Sequence, residues 1–349
     1  MRSRGAWVAA LTVTAACGGP PKPPITSTPP PEPTPDGGHE PAACGGAKLR
    51  VAFYNAGQAL AVLVTLPDGK HILVDAGESA SRPNCGAPCQ AWHQRVMEGL
   101  ARDLGDAPID LLWITHPHSD HIGGAVDVLN HFTVNAYADN GRDLTKATIK
   151  ATRDALAAHH VPLTVVEPGS ATVPLSTGED VKLTAIVPPQ WYPECGSNAN
   201  VCSIALRIDY CSSSILFTGD AEALEEADLT ISAPVTLLQV GHHGSKTSSS
   251  PAFLDRAKPK YAVISAGRPG EGTNLTYCHP RKETVDALTA ALGGAGADAI
   301  HAFPSAAGCS AGTTDAQWVD EPASDKLWVT ARDGDVVLVT TGDGAFTRE

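Results

Sequence analysis

The chain has 349 residues, 42% hydrophobic, 5% aromatic and 18% charged, with 25 Lys and Arg against 38 Asp and Glu for a net charge of −13. That length and apolar fraction suit one large domain or two ordinary ones, and they exclude fibrous, collagen-like and wholly disordered classes. The acidic balance excludes a passive nucleic-acid binder, which needs a basic face, but not an enzyme that meets a polyanion through metal ions.

Arg2 and Arg4 precede an apolar run from Ala6 to Ala16 that ends in Thr14-Ala15-Ala16-Cys17. A basic start, a short apolar stretch and small residues before the break describe a secretory signal. The run is far shorter than the roughly 20 residues of a membrane span. Small residues directly before Cys17 also resemble a bacterial lipoprotein signal, in which that Cys carries the lipid. Residues 18–43 are dominated by Pro, Gly and Thr, a composition that cannot bury enough apolar surface to fold and stays extended. The expected division is a signal over 1–17, a Pro-rich linker over 18–43 and a globular body over 44–349. The expected location is periplasmic or cell-surface, touching the membrane only through a lipid on Cys17. Of nine cysteines, eight then remain, an even number suited to disulfides in an oxidising compartment. Cys85 with Cys89, and Cys195 with Cys202, could close short local loops.

Within the body, residues 48–64 read as two strands around a turn at Asn55-Ala56-Gly57-Gln58. Pro67-Asp68-Gly69-Lys70 is a hairpin turn leading to a strand at His71–Val74, which ends in Asp75-Ala76-Gly77. The spacing predicts helices over 90–104, 122–130, 144–160, 221–229 and 281–292. Strands are predicted at 110–115, 181–187, 203–210, 214–218, 235–240 and 261–265, with a terminal hairpin over 327–341. Strands alternating with helices indicate an α/β class.

The sharpest signal is His116-x-His118-x-Asp120-His121, at the end of a strand. Imidazole and carboxylate suit Zn²⁺, Mn²⁺ or Fe. On an extended loop alternate residues point the same way, so His116 and His118 can grip one ion while Asp120 and His121 turn toward a second. Further pieces follow in order: Asn55–Ala59 (NAGQA), Ile72–Gly77 (ILVDAG), Ser203–Leu206, Phe217–Glu222 (FTGDAE), Gly241–Ser245 (GHHGS), Lys258–Ser265 and His279-Pro280. With these, the chain resembles the metallo-β-lactamase fold superfamily, and within it the hydrolase domain of ComEC-like competence proteins. The channel portion of those transporters has no counterpart in these residues, so a stand-alone enzyme is expected.

The resemblance implies an αββα four-layer sandwich with a dinuclear site at the edge of its sheets, holding two divalent cations, zinc or alternatively manganese. It places His116 and His118 on the first metal, Asp120 and His121 on the second, and Asp220 as the bridging carboxylate. His242 or His243 would be the later ligand, with His242 favoured as the first after its strand, and the other would touch a ligand or the substrate. Asp75 would orient the metal-loop histidines, as ligating histidines generally require. Most hydrolytic members place a further His before the bridging Asp, yet no His lies between His160 and His242. The ComEC-like group carries an Asn/Ser element there, matched by Asn200 and Ser203, so water or a substrate oxygen would complete the first metal. Cys202 beside them is expected in a disulfide rather than on a metal. Asp120 would also steer the proton of the attacking water. His279 would face the site, donating to a phosphate or protonating a leaving group. Ser245 and Lys246 would contact an anionic substrate.

Two such ions lower the pKa of water and neutralise charge developing on a substrate oxygen. The expected function is an exported phosphodiesterase or nuclease whose partner is an anionic phosphodiester, DNA or RNA included, with no protein partner inferable. The alternatives are hydrolysis of an ester, lactone or β-lactam by the same metals, or a non-catalytic surface lipoprotein on the same scaffold.

Overall fold

The segments LRVAF, VLVT and HILV carry apolar side chains on both faces of an extended chain, which is stable only inside a layered core. The computed structural model describes Cys44 and residues 46–231, 234–304, 308–310 and 312–349, so the signal and linker expected over 1–43 lie outside the described residues. These first segments form β1 (Leu49–Phe53), β2 (Val62–Thr65) and β3 (His71–Val74), paired antiparallel in that order. The expected turn joins the last two, with Leu66 N–H donating to Lys70 O at 2.8 Å.

Helix α1 (Ala87–Leu104) leads to β4 (Leu111–Trp113), α2 (Ser119–Ile122), α3 (Ala125–His131), β5 (Tyr137–Asp139), α4 (Ala147–Ala158) and β6 (Leu163–Val165). From β3 to β6 the pairing is parallel. An antiparallel run of β7 (Val181–Ile186), β8 (Ala205–Tyr210) and β9 (Ser213–Phe217) follows, then α5 (Ala223–Glu226), β10 (Leu237–Gln239), α6 (Pro251–Ala257) and β11 (Tyr261–Ile264). The chain ends with α7 (Asn274–Tyr277), α8 (Lys282–Ala291), β12 (Ala299–Ala302), β13 (Val319–Pro322), β14 (Leu327–Val329), α9 (Thr330–Asp333), β15 (Val336–Thr340) and β16 (Thr347–Arg348).

Among the described residues the strands make two large sheets, ordered β16-β15-β1-β2-β3-β4-β5-β6 and β14-β11-β10-β9-β8-β7, beside a small β12-β13 pair. Alternate residues of a strand face opposite sides. Val51, Phe53, Val74 and Trp113 therefore meet Leu206, Ile208, Ile215 and Phe217 between the sheets. On the outer side of the first sheet, Ala52, Leu63, Leu73 and Leu112 pack on Val96 and Leu100 of α1, Val128 of α3 and Ile149 of α4. Outside the second, Leu216, Leu238 and Ile264 pack on Phe253 of α6 and Val285 and Leu288 of α8. Helices, sheet, sheet and helices form the four layers of the αββα arrangement, and each fully buried aliphatic side chain contributes about 1.5–3 kcal/mol.

Two sequence expectations are corrected. The terminal segment is not a hairpin: β14 pairs parallel with β11 in the second sheet, whereas β15 pairs antiparallel with β1 in the first. The one-turn helix α9 carries the chain across, so two apolar strands with a polar break between them belong to different layers. The helix expected over 122–130 starts later, as α3 at Ala125, and Ile122 instead ends the one-turn α2 ahead of Gly123-Gly124. A Cβ on Gly123 would lie 2.2 Å from Ser119 O and 2.4 Å from Ser79 N, so only glycine lets this loop press against the segment after β3.

The sheets are also joined by polar bonds just below one end of the sandwich. Trp113 Nε1–H donates to Ile204 O at 3.0 Å, and Ile204 N–H to Thr115 O at 2.9 Å. Asp75, the His116–His121 loop, Asp220 and the His242-His243 turn all follow the carboxyl ends of β3, β4, β9 and β10, where open α/β sheets gather their ligands. Gly219 (φ +56) makes this convergence possible, because a Cβ there would lie 2.6 Å from Thr115 Cβ and Oγ1. Gly219→Ala is expected to lower stability by about 2 kcal/mol or more through overpacking at a left-handed position. Urea unfolding measures this, and an unchanged midpoint would refute the close approach.

Candidate metal centre

Asp75 leaves β3 in the left-handed region (φ 58) and is fully buried. Its Oδ1 accepts Thr115 N–H at 2.7 Å. Its Oδ2 accepts the Thr115 hydroxyl at 2.8 Å and His121 Nδ1–H at 2.7 Å. With its proton committed to Asp75, Thr115 Oγ1 can only accept from His116 Nδ1, 3.1 Å away. On the opposite sheet, His243 Nδ1–H donates to Ser265 O at 2.7 Å. Each of these three rings thus bonds outward through Nδ1 and turns its Nε2 inward, where it can bind a cation once it carries no proton.

The inward atoms form two groups around Asp220, each with its potential ligand atoms within 4.8 Å of one another: His116, His118 and Asp220, and Asp120, His121, His243 and Asp220. In the first, His116 Nε2 lies 3.1 Å from His118 Nδ1 and 3.7 Å from Asp220 Oδ2. In the second, His121 Nε2 lies 3.2 Å from both His243 Nε2 and Asp220 Oδ1, and His243 Nε2 lies 3.5 Å from Asp120 Oδ2. Asp220 therefore offers one oxygen to each group. Its Oδ1 is buried and accepts no hydrogen bond. Imidazole nitrogens and carboxylate oxygens converging this closely form a set that fits a divalent transition metal.

The electrostatics agree. Burial, with the His121 charge, holds His116 well below its ordinary pKa, and burial lowers His118 as well, which favours the neutral rings that a metal requires. Burial alone would also lower His121, but the Asp220 and Asp75 carboxylates outweigh it and raise it well above the usual value. His243 is raised in the same way by Asp220 and Asp120. Burial would raise Asp220, yet the charges of His121, His243 and His242 hold it well below the carboxylate range. Without a cation the site takes up protons in its place.

The geometry revises the preference for His242. Both residues of the pair occupy left-handed backbone (φ 49 and 54), a tight turn that directs the second ring inward while the first faces the rim. His243 is the one grouped with Asp120 and His121. His242 Nε2 lies 3.1 Å from Asn200 Nδ2 and 3.9 Å from Asp220 Oδ2, and its Nδ1 is 2.9 Å from Thr247 Oγ1. Ser203 is a brace: its hydroxyl donates to Asn200 O at 2.9 Å and accepts Asp220 N–H at 3.2 Å. Ser245 turns to Thr247 and Lys246 is exposed, and neither lines the cleft.

That cleft encloses about 300 Å³ and brings Asp120, Asp220, His118, His242, His243 and His279 to one opening. Burial, with His242 and His243 nearby, holds His279 well below its ordinary pKa. Sequence reasoning assigned no role to four further lining residues, Gln58, Arg82, Ser119 and Tyr277. Gln58 lay inside a recognised segment, but Arg82 and Tyr277 carry no local signal and reach the cleft only through tertiary placement. Arg82 pairs with buried Glu78 at 3.3 Å, and the Tyr277 ring stacks on His279 with centroids 6.1 Å apart. Burial and the Asp120 charge raise Glu78 to about 7, against the pull of Arg82. Disulfides stand behind these walls: Cys85–Cys89 beside Arg82, Cys195–Cys202 around the Asn200 turn and Cys278–Cys309 beside Tyr277 and His279. Cys44–Cys211 pairs the remaining two described cysteines.

Comparison with known proteins agrees with this architecture. Residues 54–268 match the Metallo-beta-lactamase superfamily. The chain is 26% identical over 260 residues to ComE operon protein 3 of Bacillus subtilis (strain 168), covering 70% of this chain and 31% of that protein. Recombination protein 2 of Haemophilus influenzae is 29% identical over 232 residues, 63% of this chain and 24% of that protein. The chain therefore spans about a quarter to a third of the length of these curated relatives. Among solved structures, the metallo-beta-lactamase fold protein YhfI from Bacillus subtilis superposes with a TM-score of 0.41 at 15% identity, over 63% of this chain and 88% of that one.

Asp75→Asn is expected to weaken divalent-metal affinity by about 10–100-fold, because the amide misaligns His121. Competition against a chromogenic chelator measures it. In the wild type the same titration is expected to release protons and to weaken as pH falls, since His121 and His243 must deprotonate to bind metal.

Proposed function

The chain belongs to the metallo-beta-lactamase superfamily of metal-dependent hydrolases, and from that premise we propose that it is an exported phosphodiesterase acting through two divalent cations. The observation that carries this reading is the pairing, across one small polar cleft, of the two Asp220-centred groups with Arg82 and His279. A guanidinium and an imidazole N–H facing a metal centre suit a tetrahedral, multiply charged phosphoryl group better than a planar neutral ester.

His116, His118 and Asp220 would hold one cation, and Asp120, His121, His243 and Asp220 the other. Such a pair lowers the pKa of water and screens charge on a phosphoryl oxygen. The chain's own residues do the rest. Asp75 and Ser265 O orient His121 and His243 by their outward bonds. Asp120, pulled below the carboxylate range by the His243 hydrogen bond and the His121 charge despite burial, stays ionised and can accept a proton from water. Arg82 is the permanent cation among the described residues lining the cleft and would orient a non-bridging oxygen. Cations within the site would also reconcile an acidic protein with an anionic substrate. DNA and RNA strands fall within this substrate class.

Export rests on different residues. Four disulfides among the described cysteines are bonds that form and persist in oxidising compartments. The pattern ahead of Cys17 supports a lipid anchor.

Purified protein with Zn²⁺ or Mn²⁺ is expected to hydrolyse bis-p-nitrophenyl phosphate, with Asp120→Ala and Asp220→Ala each losing about 10²-fold or more in kcat. Arg82→Ala should raise KM about tenfold, the loss of one charge-assisted bond. Turnover of lactones or a chromogenic β-lactam with none of the diester would overturn the reading. Cys17→Ala is expected to move the protein from the membrane to the soluble exported fraction on fractionation, and continued membrane retention would refute the anchor.

A further inference from the structure

Gln58 sits in the loop between β1 and β2 and is completely buried. Its Oε1 accepts Gly267 N–H at 3.2 Å, and its Nε2 stands 3.1 Å from His279 Nδ1. A backbone N–H can only donate, so the amide has one orientation, oxygen toward Gly267 and nitrogen toward the ring. An amide nitrogen likewise only donates. His279 Nδ1 therefore accepts and carries no proton, which excludes both the Nδ1–H tautomer and the imidazolium, and the ring proton sits on Nε2.

The surroundings hold that arrangement. Asn274 is fully buried, accepts His279 N–H at 2.8 Å and donates to His279 O at 2.7 Å. It also donates to Gly267 O at 2.8 Å, so one residue, Gly267, anchors both amide side chains through its N–H and its C=O. The Tyr277 ring stacks on one side of His279 and His242 meets it edge-on at 5.4 Å. Nε2 has no protein partner among the described residues, and the ring lines the cleft.

We propose that Gln58 is a positioning residue that locks His279 as the neutral Nε2–H tautomer, so that the imidazole serves as a fixed hydrogen-bond donor to a non-bridging phosphoryl oxygen rather than as a general acid. A neutral ring that gave up this proton would become an imidazolate, which is far too basic to form here. The ring keeps its proton and stabilises charge where it develops, as a preorganised donor does. The tautomer stands on the hydrogen bonds alone, whereas the identity of the accepting oxygen rests on the phosphodiesterase reading.

Long-range ¹H–¹⁵N spectra of the full chain at pH 7, with and without Zn²⁺, read the tautomer directly. The expected His279 pattern is an unprotonated Nδ1 and a protonated Nε2, and Gln58→Met should convert it to a mixture. A wild-type ring protonated on Nδ1, or unchanged by Gln58→Met, would overturn the lock. For the donor role, His279→Ala should lower kcat on the order of 10²-fold by the same factor for p-nitrophenyl and phenyl diesters. His279→Gln, which restores a neutral N–H, should recover part of it, and Gln58→Met should lower kcat with KM little changed. A His279→Ala loss that grows steeply with leaving-group pKa would make the ring a general acid and overturn the proposal. Absence of diester turnover would defeat the phosphodiesterase reading and the donor role while leaving the spectral result intact.

Discussion

The buried carboxylate of Asp75 is the constraint on which the candidate metal centre depends. An isolated charge at this depth would cost several kcal/mol, so it persists only because each oxygen is bonded, to the backbone and hydroxyl of Thr115 and to His121. Those bonds do three things together. They join the end of β3 to the end of β4, set the tautomer of His121, and commit the Thr115 proton so that His116 must donate outward as well. Thr115 then meets Gly219 of the opposite sheet, and Thr115 O receives Ile204 N–H. The register between the sheets and the aim of the ligands are thus one network.

Around that rigid floor the walls come from chain segments far apart in sequence. Arg82 lies on a loop, Asn200 in a single 3-10 turn and Tyr277 at the end of the one-turn α7, short segments in which few backbone bonds hold a side chain in place. Three of the four disulfides stand immediately behind those segments. The cross-links and the buried amides of Gln58 and Asn274 provide the preorganisation that a helix or strand would supply elsewhere.

Much of the fold was readable locally. Strands buried on both faces, the Pro67–Lys70 turn and the long helix α1 follow from composition and periodicity. Periodicity failed where tertiary contact overrode it. Residues 122–130 carry a helical pattern, yet regular helix starts only at Ala125, after a Gly123-Gly124 pair that the nearby Ser79 backbone keeps free of side chains. Residues 327–341 read as a hairpin because strand propensity does not say which sheet a strand will join. The His116–His121 motif was visible because metal ligands at fixed spacing leave a strong signature. The choice within His242-His243 was not, since it turned on two left-handed residues and on Ser265 O, which lies on another strand's end.

By itself the sequence determined the α/β class, the superfamily, and the imidazole and carboxylate groups of the candidate metal centre, because these depend on residue type and short-range spacing. Only the tertiary structure decided how those donors divide about Asp220, which member of the His pair turns inward, and that Arg82, Tyr277 and Gln58 complete the cleft. It alone decided which nitrogen of each ring carries the proton. The reason is physical: a tautomer or a shared carboxylate is set by a partner distant in sequence, Ser265 at the end of the strand paired beside His243, and Gln58 of the first sheet, which reaches His279 only when the two sheets close on their common core.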